Sequence, residues 1–340
     1  MILKNNDMQR LVRGASILTT GGGLCLKDQL ISLEKHHNNS VHLNDLATFG
    51  EDDVLVTASE VGLADAKEME KKDVLPKMIQ VWEKISGRKI SGVYAAEIGQ
   101  ESIIIDTAVG LGVPIVDFDV AGGRAVPFVD INTMRVAGIE YSLAPLVVAT
   151  NQGDIISVDT KMSFNDTEAL LRSLSGISNS GIAYFIGGAI RAGDICNHGI
   201  ANKSLSLAFA LGSASNAEEI RDKLQPRKIL SGCVVNKKEV EISGFNCFEA
   251  CFQDKAGNTY KLFIMNELLF VTDNYGCILA TPPDKIFILD ENKMVGVSSK
   301  DLLGGREVSL YLVDADTIWK SKNGLDIFGR NRFSELGLSL

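Results

Sequence analysis

The sequence predicts a two-domain protein. An N-terminal three-layer α/β domain with a mostly parallel sheet spans residues 1–220, and a mainly β, barrel- or sandwich-like domain spans 221–340. Three observations predict this. Short β-branched runs alternate with amphipathic helical stretches to about residue 225, as in a sheet covered by helices. From Ser231 onward the period changes to closely spaced strand-like runs broken by turn residues. At 340 residues the chain is long enough to build two cores.

In chain order, Asn6 is a candidate cap for a helix through Met8, Leu11, Val12, Ala15 and Leu18, which ends at Thr19-Thr20-Gly21-Gly22-Gly23 because glycines disfavour continuation. A second helix runs from Lys27 to about His36. Asp53–Ala58 is a compact buried-strand run, and Lys71–Ile85 has helical apolar spacing through Met78, Ile79 and Trp82. Strand Ile90–Ala95, helix Ser102–Gly110 and strand Val113–Phe118 continue the alternation. Val147–Asn151 and Ile155–Asp159 flank a hairpin turn. Asn165 and Glu168 have capping-box spacing before Leu170 and Leu171. Strand Ile182–Ile186 leads to Gly187-Gly188. Helix Asn202–Leu211 is rich in small residues suited to close packing, and a more polar helix spans Asn216–Gln225. The domain boundary falls at 215–228. Beyond it come Glu239–Phe248, Glu249–Gln253, Thr259–Met265, Leu268–Thr272, Gly276–Ala280, Ile286–Leu289 and Glu307–Val313.

The net charge of -9 argues against a general nucleic-acid surface, which needs clustered Lys and Arg against phosphate. No apolar run is long enough to span a bilayer, and the N-terminal residues lack a signal-peptide core, so a cytoplasmic protein is expected. The cysteines at 25, 196, 233, 247, 251 and 277 form no Cys-x-x-Cys pair, and reduced thiols are expected.

The densest chemistry lies in Val93–Phe128, where Glu97, Glu101, Asp106, Asp117, Asp119 and Arg124 stand near predicted strand ends. Charges at buried chain ends are costly unless paired or used. Glu97 suits general acid or base work if burial raises its pKa; a capping or surface role is the plainer alternative. Asp117 and Asp119, two apart on a strand, share a face and can hold a hard cation, bind ligand N–H groups or share a proton. The alternative is a turn or capping Asp beside a solvated one. Arg124 can clamp an anion or pair with an Asp. Thr20 and Gly21–Gly23 can form a nest for an anion or carbonyl, or simply stop a helix; they fit neither nucleotide fingerprint. Asp194, Cys196 and His198 have suitable types for nucleophilic chemistry, with a structural thiol as the plainer reading and His198 kept as a ligand-binding candidate. Four scattered histidines disfavour a three-histidine zinc site, while a carboxylate-lined site leaves a divalent metal open and its ligands unknown.

Several segments together resemble the S-methyl thiohydantoin desulfurase-like family: ILTTGGG at 17–23, EIGQES at 97–102, LGVPIVDFDVAGGRAVP at 111–127, INTMRVAGI at 131–139, MNELLFV at 265–271 and ATPPDKIFILD at 280–290. The likeness runs nearly the whole chain in order. It implies an α/β domain followed by a mainly β domain, and hydrolytic removal of methanethiol from an S-methyl thiohydantoin. It further implies a small-molecule substrate and a hydantoinase- or oxoprolinase-like protein partner, with a homo-oligomer also open. By the resemblance Gly21–Gly23, Glu97, Asp117, Asp119 and Arg124 occupy motif positions. Departures occur at Gly23-Leu24-Cys25, Gly62-Leu63-Ala64-Asp65, Glu101-Ser102 and Phe128, the last standing where the family pattern carries an acid.

The leading expectation is a hydrolase of a small S-methyl thiohydantoin or hydantoin-like heterocycle, with Glu97, Asp117 and Asp119 as catalytic groups. Thr20, Gly21–Gly23, Arg124 and His198 would bind ligand. A non-catalytic ligand-binding or partner subunit, and a nucleotide-dependent enzyme, are the alternatives.

Overall fold

The computed structural model describes residues 1–62, 74–178, 181–242, 245–302 and 305–334. Its first sheet comprises β1 Ile2–Leu3, β2 Val41–Asn44, β3 Val54–Gly62, β4 Gly92–Ala95, β5 Ile115–Asp119, β6 Leu146–Thr150, β7 Ile155–Val158 and β8 Ile182–Arg191. The spatial order is β1-β2-β5-β4-β3-β8-β6-β7.

This sheet is mixed, which corrects the mostly parallel expectation. Only the run β2-β5-β4-β3 is parallel; β1, β8, β6 and β7 all pair antiparallel. The reason is connection length. A parallel pair needs a crossover of about a dozen residues or more, whereas β6 turns directly into β7. β8 then inserts antiparallel between β3 and β6.

The second sheet is wholly antiparallel: β9 Lys228–Ile242, β10 Phe245–Asp254, β11 Thr259–Met265, β12 Glu267–Asp273, β13 Ile278–Ala280, β14 Lys285–Asp290, β15 Val295–Gly296 and β16 Glu307–Val313. Its order is β13-β12-β11-β10-β9-β16-β14-β15. The break expected at Phe248-Glu249 falls inside β10, because neither residue is a turn former.

Helix ends differ where local caps win. The first helix is Asn5–Leu18, capped at Lys4, whose N–H donates to Asp7 Oδ2 at 3.2 Å, rather than at Asn6. Helix Phe164–Ile177 is capped by Ser163, which accepts from Asp166 N, rather than by Asn165. Helix Leu75–Ser86 includes Met78, Ile79 and Trp82 on its buried face; the expected start at 71–73, like the departures at 63–65, lies outside the described residues.

The small-residue helix Ser204–Gly212 does pack closely. A Cβ on Gly14 of the first helix would sit 1.7 Å from Ala208 O, so that backbone contact exists only because Gly14 has no side chain. The apolar clusters cross between the sheets. Phe287, Leu289 and Tyr311 join the core of the first sheet, while Ile131 and Val136 join Phe270, Trp319, Phe328 and Phe333. The seam between the two sheets is therefore core-like. Backbone bonds add to it: Leu268 N donates to Thr20 O and Ser299 N to Gly21 O, both at 2.8 Å.

Candidate active site

The parallel strands β3, β4 and β5 bring their carboxyl ends to one edge, where ligands commonly bind in such sheets. A recess of about 330 Å³ opens there. The first half of the chain contributes Gly21–Gly23, Ser59, Glu60, Glu97, Gln100, Phe128, Tyr141, Glu168 and Arg172. The second half contributes Phe248, Asn266, Glu267 and Ser298–Lys300.

Glu97 lies in the turn after β4 with its carboxylate fixed at both oxygens. Oε2 accepts from Val126 N at 2.9 Å, and Oε1 accepts from Gln100 Nε2 at 3.0 Å. Gln100 is the hub of this wall. Its Oε1 accepts from Ser59 Oγ at 2.8 Å and Glu60 N at 2.7 Å, while Nε2 also donates to Glu60 O at 3.2 Å. Burial pushes the Glu97 carboxyl up to about 7, against the lowering effect of its two donors. A carboxyl poised there changes protonation near neutral pH, as a general base or acid must.

The glycine loop forms another wall. Gly21 and Gly23 adopt φ of 93° and 73°, which favour glycine. Gly22 is needed for a different reason: a Cβ there would lie 2.1 Å from Glu267 Oε1. Glu267, at the head of β12, is 3% exposed, and its Oε2 has no hydrogen-bond partner among the described residues. Burial and the nearby Glu97 charge hold its carboxyl well above the usual carboxylate range. Thr20 is buried behind the loop, its carbonyl held by Leu268 N.

The other candidates lie elsewhere. Asp117 accepts from Ser206 N at 2.9 Å in the first turn of helix Ser204–Gly212, the capping role given as its plainer alternative. Asp119 is fully buried and accepts from Gly123 N at 2.8 Å. Burial pushes its carboxyl up to about 6, opposed by the Gly123 amide and the Lys285 charge. Neither lines the recess. Arg124 is also fully buried. Nε donates to Ala125 O at 3.1 Å, Nη1 donates to Pro283 O at 3.1 Å and Asp284 O at 2.7 Å, and the guanidinium lies 4.6 Å from the Phe328 ring centroid. Three carbonyls and a ring hold it as a staple between the two sheets, outside the recess lining, while Nη2 is buried with no partner among the described residues. His198 is exposed with Nδ1 against Asp194 O, and Asp194 pairs with Arg191; no Asp-Cys-His relay forms at 194–198. Among the described residues, no three His, Cys, Asp or Glu side chains form a metal-holding group.

Sequence reasoning missed Gln100 and Glu267. Both stood inside segments carrying the family resemblance. Glu267 also showed a signal of its own, an acid directly before the apolar run Leu268–Val271. Glu101, fully buried behind the Glu97 turn, accepts from Gly99 N at 2.9 Å, and burial pushes it up to about 8.

The fold and recess define a two-domain α/β-plus-β protein with a carboxylate-lined site built at the seam. Family models agree. One described as S-Me-THD-like, N-terminal domain, matches residues 6–160, and one described as S-Me-THD-like, C-terminal domain, matches residues 163–336. The chain belongs to the S-Me-THD-like family. A crystal structure of a protein from Chromobacterium violaceum is similar in fold, with a TM-score of 0.79 at 21% identity, covering 99% of this chain and 97% of that one. No curated protein matches the chain. No helix among the described residues is long and apolar enough to cross a membrane.

Proposed function

We propose that the recess hydrolyses a small S-methyl thiohydantoin or a related hydantoin-like ring, with Glu97 as the base that activates water. The observation that carries this reading is the Glu97 carboxylate itself. It faces a recess of about 330 Å³, is oriented by Val126 N and Gln100 Nε2, and is raised to about 7. The volume is at the small end for ligand pockets and suits a five-membered ring. Phe128, Phe185 and Leu143 offer an apolar wall for a methylthio group. Positive-φ backbone at Gly21 and Gly23 can approach a ring heteroatom that gains charge.

The test is methanethiol release from an S-methyl thiohydantoin. The base works as the carboxylate, so turnover should climb as pH rises through about 7. No release at any pH removes the hydrolytic reading. A second reading, ligand binding without turnover, is favoured by Phe128, an apolar ring in the wall where the family pattern has an acid. Tight hydantoin binding with no methanethiol would establish it.

A further inference from the structure

Glu267 belongs to neither the catalytic groups read from the sequence nor the base just described, yet it lines the recess as a buried acid, 3% exposed, beside Glu60 and the half-buried Glu97. It comes from the second domain, at the start of β12. Oε1 rests where a side chain on Gly22 would be, and the carboxyl carbon would lie 2.9 Å from a Cβ there. Ending a helix requires one glycine; keeping Gly22 bare between two positive-φ glycines makes room for this carboxyl. Oε2 is buried with no partner among the described residues. An orphaned buried oxygen is expensive unless it is reserved for something that arrives. The acid has no ion pair at 4 Å or less among those the structure shows; of the two cations that act on it electrostatically, Arg124 is bonded to main-chain carbonyls and Arg172 pairs with Glu168 at 2.7 Å.

We propose that Glu267 is the proton donor of the recess, supplied by the second domain to a ring nitrogen of the substrate. The proposal rests on the hydrolytic reading and deepens it. A water proton passes to the Glu97 carboxylate as the water oxygen bonds to the ring carbon bearing sulfur. The C=N π pair moves to nitrogen, which takes the Glu267 proton. The C–S bond then breaks, its pair leaving on sulfur. The new hydroxyl gives its proton back to Glu267 and becomes a carbonyl, and methanethiolate takes the proton held by Glu97. Water and thioimidate become amide and methanethiol, with both acids restored and no further reactant.

Burial, and then the Glu97 charge, push the Glu267 carboxyl well above the usual carboxylate range and so favour its protonated form. Turnover should therefore show an alkaline fall as Glu267 ionises, in addition to the acid-side rise from Glu97.

The experiment measures methanethiol release from an S-methyl thiohydantoin against pH for the wild type, Glu267→Gln and Gly22→Ala. Glu267→Gln keeps shape and neutrality but gives no proton. It should lower kcat about 100-fold or more, leave KM within about threefold, and abolish the alkaline fall. Gly22→Ala displaces the carboxyl without removing it and should lower kcat in the same direction. Wild-type kcat with the alkaline fall intact in Glu267→Gln overturns the proposal. So does an unaltered kcat in Gly22→Ala. A wild type that releases no methanethiol removes the hydrolytic reading instead. The infrared carboxylic-acid band missing from Glu267→Gln then decides the donor: a shift of that band on hydantoin binding supports it, and no shift overturns it.

Discussion

The ends of β4 and β5 look alike in sequence: each is a buried parallel strand with an acid at or just past its last residue and glycine in the turn that follows. They end up in opposite situations. Glu97, after β4, faces the recess with its carboxylate held by two donors. Asp119, the last residue of β5, and Arg124, in the turn that follows, are fully buried under residues 202–206 and 283–284. The difference lies in what covers the strand end. Over β4 the second half of the chain leaves a recess; over β5 it packs closely and leaves none at Asp119 or Arg124.

The sharpest way to break this contrast is a pair of substitutions. Glu97→Gln should cut kcat by about 10²- to 10⁴-fold with the fold unchanged, measured by methanethiol release and far-ultraviolet circular dichroism. Arg124→Ala should act on stability first. It strips the partner from three carbonyls and leaves a hole beside Phe328, at a cost of about 3 kcal/mol in denaturant unfolding. An Arg124→Ala protein of full stability that has lost only ligand affinity would reverse the two assignments.

A pH series separates the regions less strongly but independently. Glu97, Glu101 and Asp119 stand at about 7, 8 and 6 in the folded chain, above their ordinary values of 4.5, 4.5 and 3.8. Raised carboxyls bind more protons when folded, so their stabilising effect is complete below about pH 4 and lost as pH rises through about 6 to 8. The thermal midpoint should fall from about pH 5 to about pH 9. Glu101→Gln, which removes a buried acid outside the recess lining, should flatten that fall; an unchanged slope would mean Glu101 does not ionise there.

The smallest expected effect concerns the recess wall. Arg332 donates to both oxygens of Asp130 at 2.8 and 2.7 Å and lies 4.7 Å from the centroid of Phe128, which lines the recess. Arg332→Ala should weaken ligand binding by about 1 kcal/mol through a looser wall, seen in KM with kcat preserved. A change in kcat alone would show that the wall positions the reacting groups as well.

Much of this was legible along the chain. Alternating periods located β3, β4 and β5 and the helices between them, and the shift in period located the second sheet. Glu97 was legible because an acid just beyond a buried strand has few inexpensive fates. The rest depended on long-range pairing. Asp117 and Asp119 meet Ser206 and Asn202 across more than eighty residues, and Arg124 meets Pro283 and Asp284 across about twice that. No local pattern reports such meetings. Sheet direction failed for a similar reason: β8 reaches its place between β3 and β6 from far along the chain, and strand propensity carries no sign of orientation.

The main-chain bonds from Leu268 and Ser299 to Thr20 and Gly21 have a consequence for how such a protein can change over time. Every residue but proline carries a main-chain N–H, so other side-chain replacements do not directly erase those two ties, but an insertion that shifts either half does. The two halves must therefore drift in step. A chimera that joined one of them to a foreign mate could fold well and still lack a floor on which to hold its ligand.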